Sequence, residues 1–144
     1  MENDEIDILL VEDNPEDADL TIRALKKNKV TNRILHLDDG VAALEYIFCT
    51  GEFANRNIEL KPKVVLLDLN MPKISGMEVL KKMKSDDRTK VIPVVVLTSS
   101  KESPDVHTCY LLGANSYIVK PVGFENFTET ITELGLFWLL RNYQ

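Results

Sequence analysis

The chain has 144 residues, 44% of them apolar and 28% charged, with 17 Lys and Arg set against 23 Asp and Glu for a net charge of -6. That length suits a single compact domain with a sizeable core and predicts no second folded domain. Its basic residues are scattered among acids, which argues against a nucleic-acid surface, and no run is long enough to span a bilayer. Cys49 and Cys109 are far apart with no CxxC spacing, and Met1 leads into acids rather than a basic-then-apolar leader, so the expected setting is cytoplasmic with reduced thiols.

Ile6 to Val11 is an apolar run broken only by Asp7, and it predicts a buried strand that stops in Glu12, Asp13, Asn14 and Pro15. Asn14 is an N-cap by type, Pro15 suits the first helical position, and Glu16 and Asp17 favour a first turn. Ala18, Ile22 and Leu25 recur at helical spacing and carry that helix to about Asn28. Ile34 to Leu37 predicts a short strand, and Asp38-Asp39-Gly40 turns into a helix carrying Val41, Leu44, Ile47 and Phe48. Thr50 to Pro62 is polar and long for a connection in an α/β unit, so it is either a surface excursion or an interaction loop.

After Lys63, Val64 to Leu67 is an unbroken Val/Leu run that ends in Asp68, the pattern of a central parallel strand covered on both faces; Asn70 to Pro72 then forces a turn. Ser75-Gly76 opens a helix in which Met77, Leu80 and Met83 share a face. Ile92 to Leu97 predicts a further buried strand, ending in Thr98-Ser99-Ser100, and Ser103 with Pro104 and Asp105 predicts a helix that stops at Gly113. Ser116 to Val119 is the last strand and ends in Lys120-Pro121. A final helix carries Phe124, Phe127, Ile131, Leu134 and Trp138 along one face. Leu136, Phe137, Leu139 and Leu140 offer more apolar surface than one face can bury. They predict a homodimer through the last helix and neighbouring elements, or else a segment folded back on its own chain.

Five strands alternating with five helices imply a parallel sheet with helices on both faces and right-handed crossovers. The carboxyl ends of such strands point one way, toward the crevice where ligands bind. Glu12 and Asp13, Asp68, Thr98 and Lys120 all stand at such ends. Carboxylates gathered there repel by about 4 kcal/mol per pair at ~4 Å and an effective dielectric near 20, so positive charge must offset them. Lys120 supplies one charge, and an all-oxygen cluster suits Mg²⁺. An acid cluster, a metal, a hydroxyl and a lysine around one Asp favour phosphoryl acceptance over acid/base work.

Leu9-Leu10-Val11-Glu12-Asp13-Asn14, Leu66 to Pro72 with Gly76, Val96-Leu97-Thr98-Ser99-Ser100, and Gly113 to Pro121 together resemble the receiver domain of two-component response regulators. The residues Asp68 to Lys73, the long Thr50 to Pro62 loop and Phe137-Trp138 are similar to single-domain regulators associated with bacterial phytochromes. The resemblance implies a flavodoxin-like sheet of order 2-1-3-4-5 in a three-layer sandwich, one receiver domain over residues 1–144 and no output domain. It makes Asp68 the acceptor of a phosphoryl group from a sensor histidine kinase, a bacterial phytochrome in the narrower resemblance. Asp13, Asp68 and the Asn70 carbonyl would hold Mg²⁺ while Glu12 orients metal-bound water. Lys120 would neutralise charge, Thr98 would bond the new phosphoryl oxygen, and Tyr117 would be the switch aromatic. A cis Lys120–Pro121 bond and an output surface on the fourth helix, last strand and last helix, facing an unnamed downstream protein, are implied as well. So are self-phosphorylation and self-dephosphorylation without an enzyme's turnover of substrate, and kinase specificity around Pro15 to Leu25.

A haloacid-dehalogenase-type phosphatase also uses an Asp after an apolar strand, but needs a second Asp at position 70, which is Asn. A phosphorylation-independent receiver-like interaction module is the remaining alternative, although none of the five site residues is missing. His36 and His107 have no acid or ligand partners at useful spacing, and Cys109 reads as core.

Overall fold

In the computed structural model, which describes residues 6–27, 33–71, 73–100, 102 and 104–136, strands and helices alternate along the chain. They are β1 (Ile8–Val11), α1 (Pro15–Lys27), β2 (Ile34–Leu37), α2 (Gly40–Phe48), β3 (Val64–Asp68), α3 (Gly76–Lys84), β4 (Val94–Thr98), α4 (Pro104–Leu111), β5 (Ser116–Val119) and α5 (Phe124–Glu133). The strands form one parallel sheet in the order β2-β1-β3-β4-β5. The doubly wound α/β topology and its strand order are those expected.

The unbroken apolar runs have a direct cause. Alternate side chains of each central strand face opposite layers, and both layers are covered. Leu9, Val11, Val65, Leu67, Val94 and Val96 pack with Ala43, Ile47, Val79, Leu80, Met83 and Cys109 on the α2, α3 and α4 side. Ile8, Leu10, Val64, Leu66, Val95, Leu97 and Ile118 pack with Ala18, Leu25, Phe127 and Ile131 on the α1 and α5 side. The outer strand β2 is only partly buried, which is why its pattern is weaker.

The helix starts follow their caps. Asn14 Oδ1 accepts the Asp17 N–H at 2.9 Å, and Asp39 Oδ1 accepts that of Ala42 at 2.7 Å. Ser75 and Glu78 form a reciprocal capping box. At the end of α4, Gly113 takes the left-handed φ of +109° that an αL cap requires. The cap expected at Ser103 lies outside the described residues.

The segment after α2 is a surface excursion held down by Phe53 and Arg56. A short 3-10 turn, Gly51–Phe53, puts Phe53 edge-on to Tyr46, their ring centroids 5.1 Å apart. The Arg56 guanidinium lies over the Tyr46 ring at 3.7 Å, donates to the Tyr46 and Leu60 carbonyls, and reaches Cys49 Sγ at 3.1 Å.

Two expectations for the last helix change. Phe124 is 46% exposed, because buried Val122 closes that end of the core and the inward stripe begins at Phe127. Leu136 is not surplus surface: its N–H reaches the Ile131 carbonyl at 2.9 Å, Gly135 turns at a φ of +74°, and Leu136 packs back on the core with Leu134. Phe137 to Leu140, on which the dimer expectation rests, lie outside the described residues, as does the position of Trp138 on the helix stripe.

Candidate functional site

Sheet register brings the five strand-end residues to one edge of the sheet. Val11 pairs with Leu67, Asp68 with Leu97, and Thr98 with Val119, so β1, β3, β4 and β5 end nearly level. Beyond the ladder, the Lys120 N–H donates to the Thr98 carbonyl at 2.7 Å and the Glu12 N–H to that of Leu37 at 3.0 Å. The Lys120–Pro121 bond is cis.

Glu12, Asp13 and Asp68 each place a carboxylate oxygen so that all three lie within 4.8 Å of one another. Glu12 is fully buried and Asp68 almost so, while Asp13 is half-exposed. The Asn14 N–H donates to Glu12 Oε2 at 3.2 Å, and the Asn70 N–H reaches Asp68 Oδ1 at 3.4 Å. On the outer side, His36 Nε2 lies 2.8 Å from the Glu12 carbonyl, a contact that requires the proton on that nitrogen.

Lys120 is the counter-charge. Its Nζ lies 3.3 Å from Glu12 Oε1, 3.3 Å from Asp68 Oδ1 and 3.0 Å from Asp17 Oδ2. Burial alone would lower the pKa of this ammonium, but the hydrogen bond to Asp17 and the charges of Asp68 and Glu12 outweigh it and hold the group protonated well above the ordinary lysine range. Glu12 moves up, to about 7, chiefly because burial penalises its charge and then because Asp68 is hydrogen-bonded and negative beside it. One ammonium therefore only partly offsets this cluster, and the carboxyl with least water is the one whose charge is most disfavoured.

The donor set fits a divalent metal. It is oxygen-only, negatively charged, and open on the Asp13 side where water can complete a coordination shell. Nothing in it is a soft ligand.

Thr98 and Tyr117 stand apart from the carboxylates. The Thr98 hydroxyl donates to the Ser100 carbonyl at 3.2 Å and lies 3.4 Å from the Ser100 N–H, so it is engaged with its own loop. Tyr117 is half-buried against the α4 side of the core and meets the Tyr110 ring edge-on, centroids 6.1 Å apart.

Asp17 is the site residue that sequence reasoning missed. Its first-turn position reads as helix-dipole complementarity, and only the fold brings it across to a lysine 103 residues away. An acid in the first turn of the helix that follows the Glu12-Asp13 strand end is the available signal.

Residues 8–132 match the response regulator receiver domain family. Among relatives, the probable methanogenesis regulatory protein FilR2 of Methanothrix harundinacea is 44% identical over 132 residues, covering 92% of this chain and 83% of that protein. The structure is similar to that of the bacteriophytochrome response regulator AtBRR, with a TM-score of 0.85, 48% identity, and coverage of 96% of this chain and 99% of that one. It is also similar to the Mn(2+)-bound form of response regulator Rcp1, a protein of Synechocystis, with a TM-score of 0.74, 38% identity, and coverage of 92% and 93%.

Proposed function

The chain belongs to the response regulator receiver domain family, whose members are phosphoacceptor signalling proteins, and on that premise we propose that Asp68 is the acceptor. A carboxylate oxygen of Asp68 attacks the phosphorus of a phosphohistidine on a sensor kinase. The P–N bond breaks, the imidazole keeps the electron pair, and Asp68 becomes an acyl phosphate. The observation that carries this reading is the Lys120 ammonium 3.3 Å from Asp68 Oδ1 at the rim of a three-carboxylate cluster.

We assign the divalent cation as Mg²⁺, which Asp13, Asp68 and the Asn70 carbonyl would hold while Glu12 would orient water at the site. When bound it supplies positive charge that offsets the carboxylates and the transferred oxygens. Lys120, beside Asp68, would neutralise a phosphoryl oxygen as charge builds. The Thr98 hydroxyl leaves Ser100 for that oxygen, which draws the β4–α4 loop inward and lets Tyr117 turn from Tyr110. Phosphorylation adds roughly -1.5 to -2 charges, enough to bias two loop states that differ by a few kcal/mol. The changed surface over α4, β5 and α5 is the output, with acyl-phosphate hydrolysis resetting it.

We read residues 1–144 as one cytoplasmic receiver domain that forms a homodimer through the last helix and its neighbours. Similarity to AtBRR supports a bacterial phytochrome as the kinase.

The test is intact mass after incubation with acetyl phosphate and Mg²⁺, beside an Asp68→Asn control. One added phosphoryl group, absent from the control and without Mg²⁺, is the expected result. Absence of an adduct together with failure to bind beryllofluoride, a mimic of the phosphoryl group, would refute the assignment.

A further inference from the structure

An ammonium has three N–H groups, and three carboxylates surround that of Lys120. Two of them, Glu12 and Asp68, also belong to the cluster that suits a divalent cation, and their side chains are 0% and 3% exposed. The third, Asp17, lies outside that cluster at the wet edge, 34% exposed, and makes the shortest contact at 3.0 Å. The contacts at 3.3 Å to Glu12 and Asp68 are longer than the ~2.7–2.9 Å usual for a charge-assisted bond. Lys120 is thus shared between a buried site it would otherwise fill and an acid that draws it outward.

Asp17 is well placed to hold a load. Its N–H is capped by Asn14 Oδ1 at 2.9 Å, its carbonyl accepts the Thr21 hydroxyl at 2.9 Å, and it sits in the first turn of α1. Its position is set by the helix and leaves only the side chain to move.

We propose that Asp17 is a positioning residue for Lys120: it takes one N–H of the ammonium and holds the charge at the rim, leaving Glu12, Asp13 and Asp68 open to a divalent cation. The inference rests on reading those three carboxylates as the cation-holding set. Without Asp17, Lys120 closes on Glu12 and Asp68 and competes directly with the metal. A plain field effect, in which Asp17 is just one more negative charge near the cation, predicts the same sign in the single variant. The two accounts part when the lysine is removed.

The experiment is a Mg²⁺ titration followed by amide NMR shifts in the full chain, for the wild type, Asp17→Asn, Lys120→Met and the double variant. Asp17→Asn is expected to weaken Mg²⁺ binding by roughly 3- to 10-fold with Lys120 present, and by less than about twofold in the Lys120→Met background. Asp17→Glu, which keeps the charge, restores wild-type affinity. Equal losses in both backgrounds, or no loss with Lys120 present, would overturn the proposal. Asp17→Ala, with Asn14 and Pro15 still starting α1, serves as the second variant if Asn perturbs folding. Acetyl phosphate adducts on the same samples keep the two readings separate. A wild-type chain that gives no adduct and does not bind beryllofluoride refutes the acceptor assignment, whereas a wild-type adduct with equal Mg²⁺ losses refutes only the role of Asp17.

Discussion

Gly76 begins α3 against the backbone of Asp68, so closely that a Cβ at position 76 would lie 2.1 Å from the Asp68 carbonyl oxygen and 2.8 Å from the Leu69 Cα. The Gly76 N–H also donates to the Leu69 carbonyl at 3.0 Å. The obstruction is backbone, which cannot swing aside as a flexible side chain would.

Gly76→Ala is therefore expected to destabilise the protein by about 1–3 kcal/mol, the usual range for overpacking, and to displace Asp68 as it does so. Urea unfolding measures the first effect, and slower labelling by acetyl phosphate measures the second. An Ala variant with wild-type stability and labelling would show that the start of α3 is free to shift.

Glu12 makes stability depend on pH in an unusual direction. Its pKa of about 7, above the ordinary 4.5, means that the folded state binds more protons than the unfolded state between those values. Metal-free protein should thus lose stability as pH rises from about 4.5 through 7, and Glu12→Gln should flatten that dependence. Urea midpoints at pH 5 and pH 8 in a chelator test this. Mg²⁺ affinity should rise over the same interval, with proton release visible as a buffer-dependent binding enthalpy.

Arg56 ties the Thr50 to Pro62 excursion to the end of α2 through the Tyr46 carbonyl and ring face and the Cys49 thiol, and closes the excursion on its own Leu60 carbonyl. Arg56→Ala should cost about 1–3 kcal/mol, toward the low end because the side chain is part-exposed. Arg56→Lys should recover little, since an ammonium cannot reproduce the planar fork over Tyr46. Amide hydrogen exchange across residues 50–62 should speed up in both variants, with the β3 amides unaffected.

In the unphosphorylated protein Thr98 is bonded to Ser100 on both its donor and acceptor sides. Thr98→Val should loosen that loop by about 0.5–1.5 kcal/mol while leaving acetyl phosphate labelling of Asp68 possible. It should abolish the shift changes at Tyr117 on beryllofluoride binding, and Thr98→Ser should preserve them. Persistent Tyr117 changes in the Val variant would remove Thr98 from the switch.

The sequence by itself determined the order of strands and helices, the cap at Asn14, the helix starts after Asp39 and at Ser75-Gly76, and the residues standing at the strand ends. These are local consequences of periodicity, cap chemistry and the double-faced burial that turns Val64 to Leu67 into an unbroken run. Family motifs added what spacing alone leaves open, the sheet order and the cis Lys120–Pro121 bond. Only the tertiary structure decided that Phe124 faces water and that Leu136 returns to the core, because each depends on which neighbour fills the end of one layer. It also decided that Asp17 shares Lys120 with Glu12 and Asp68. That contact joins the first turn of α1 to the end of β5, and a pairing across 103 residues exists only once sheet register has set the two side by side.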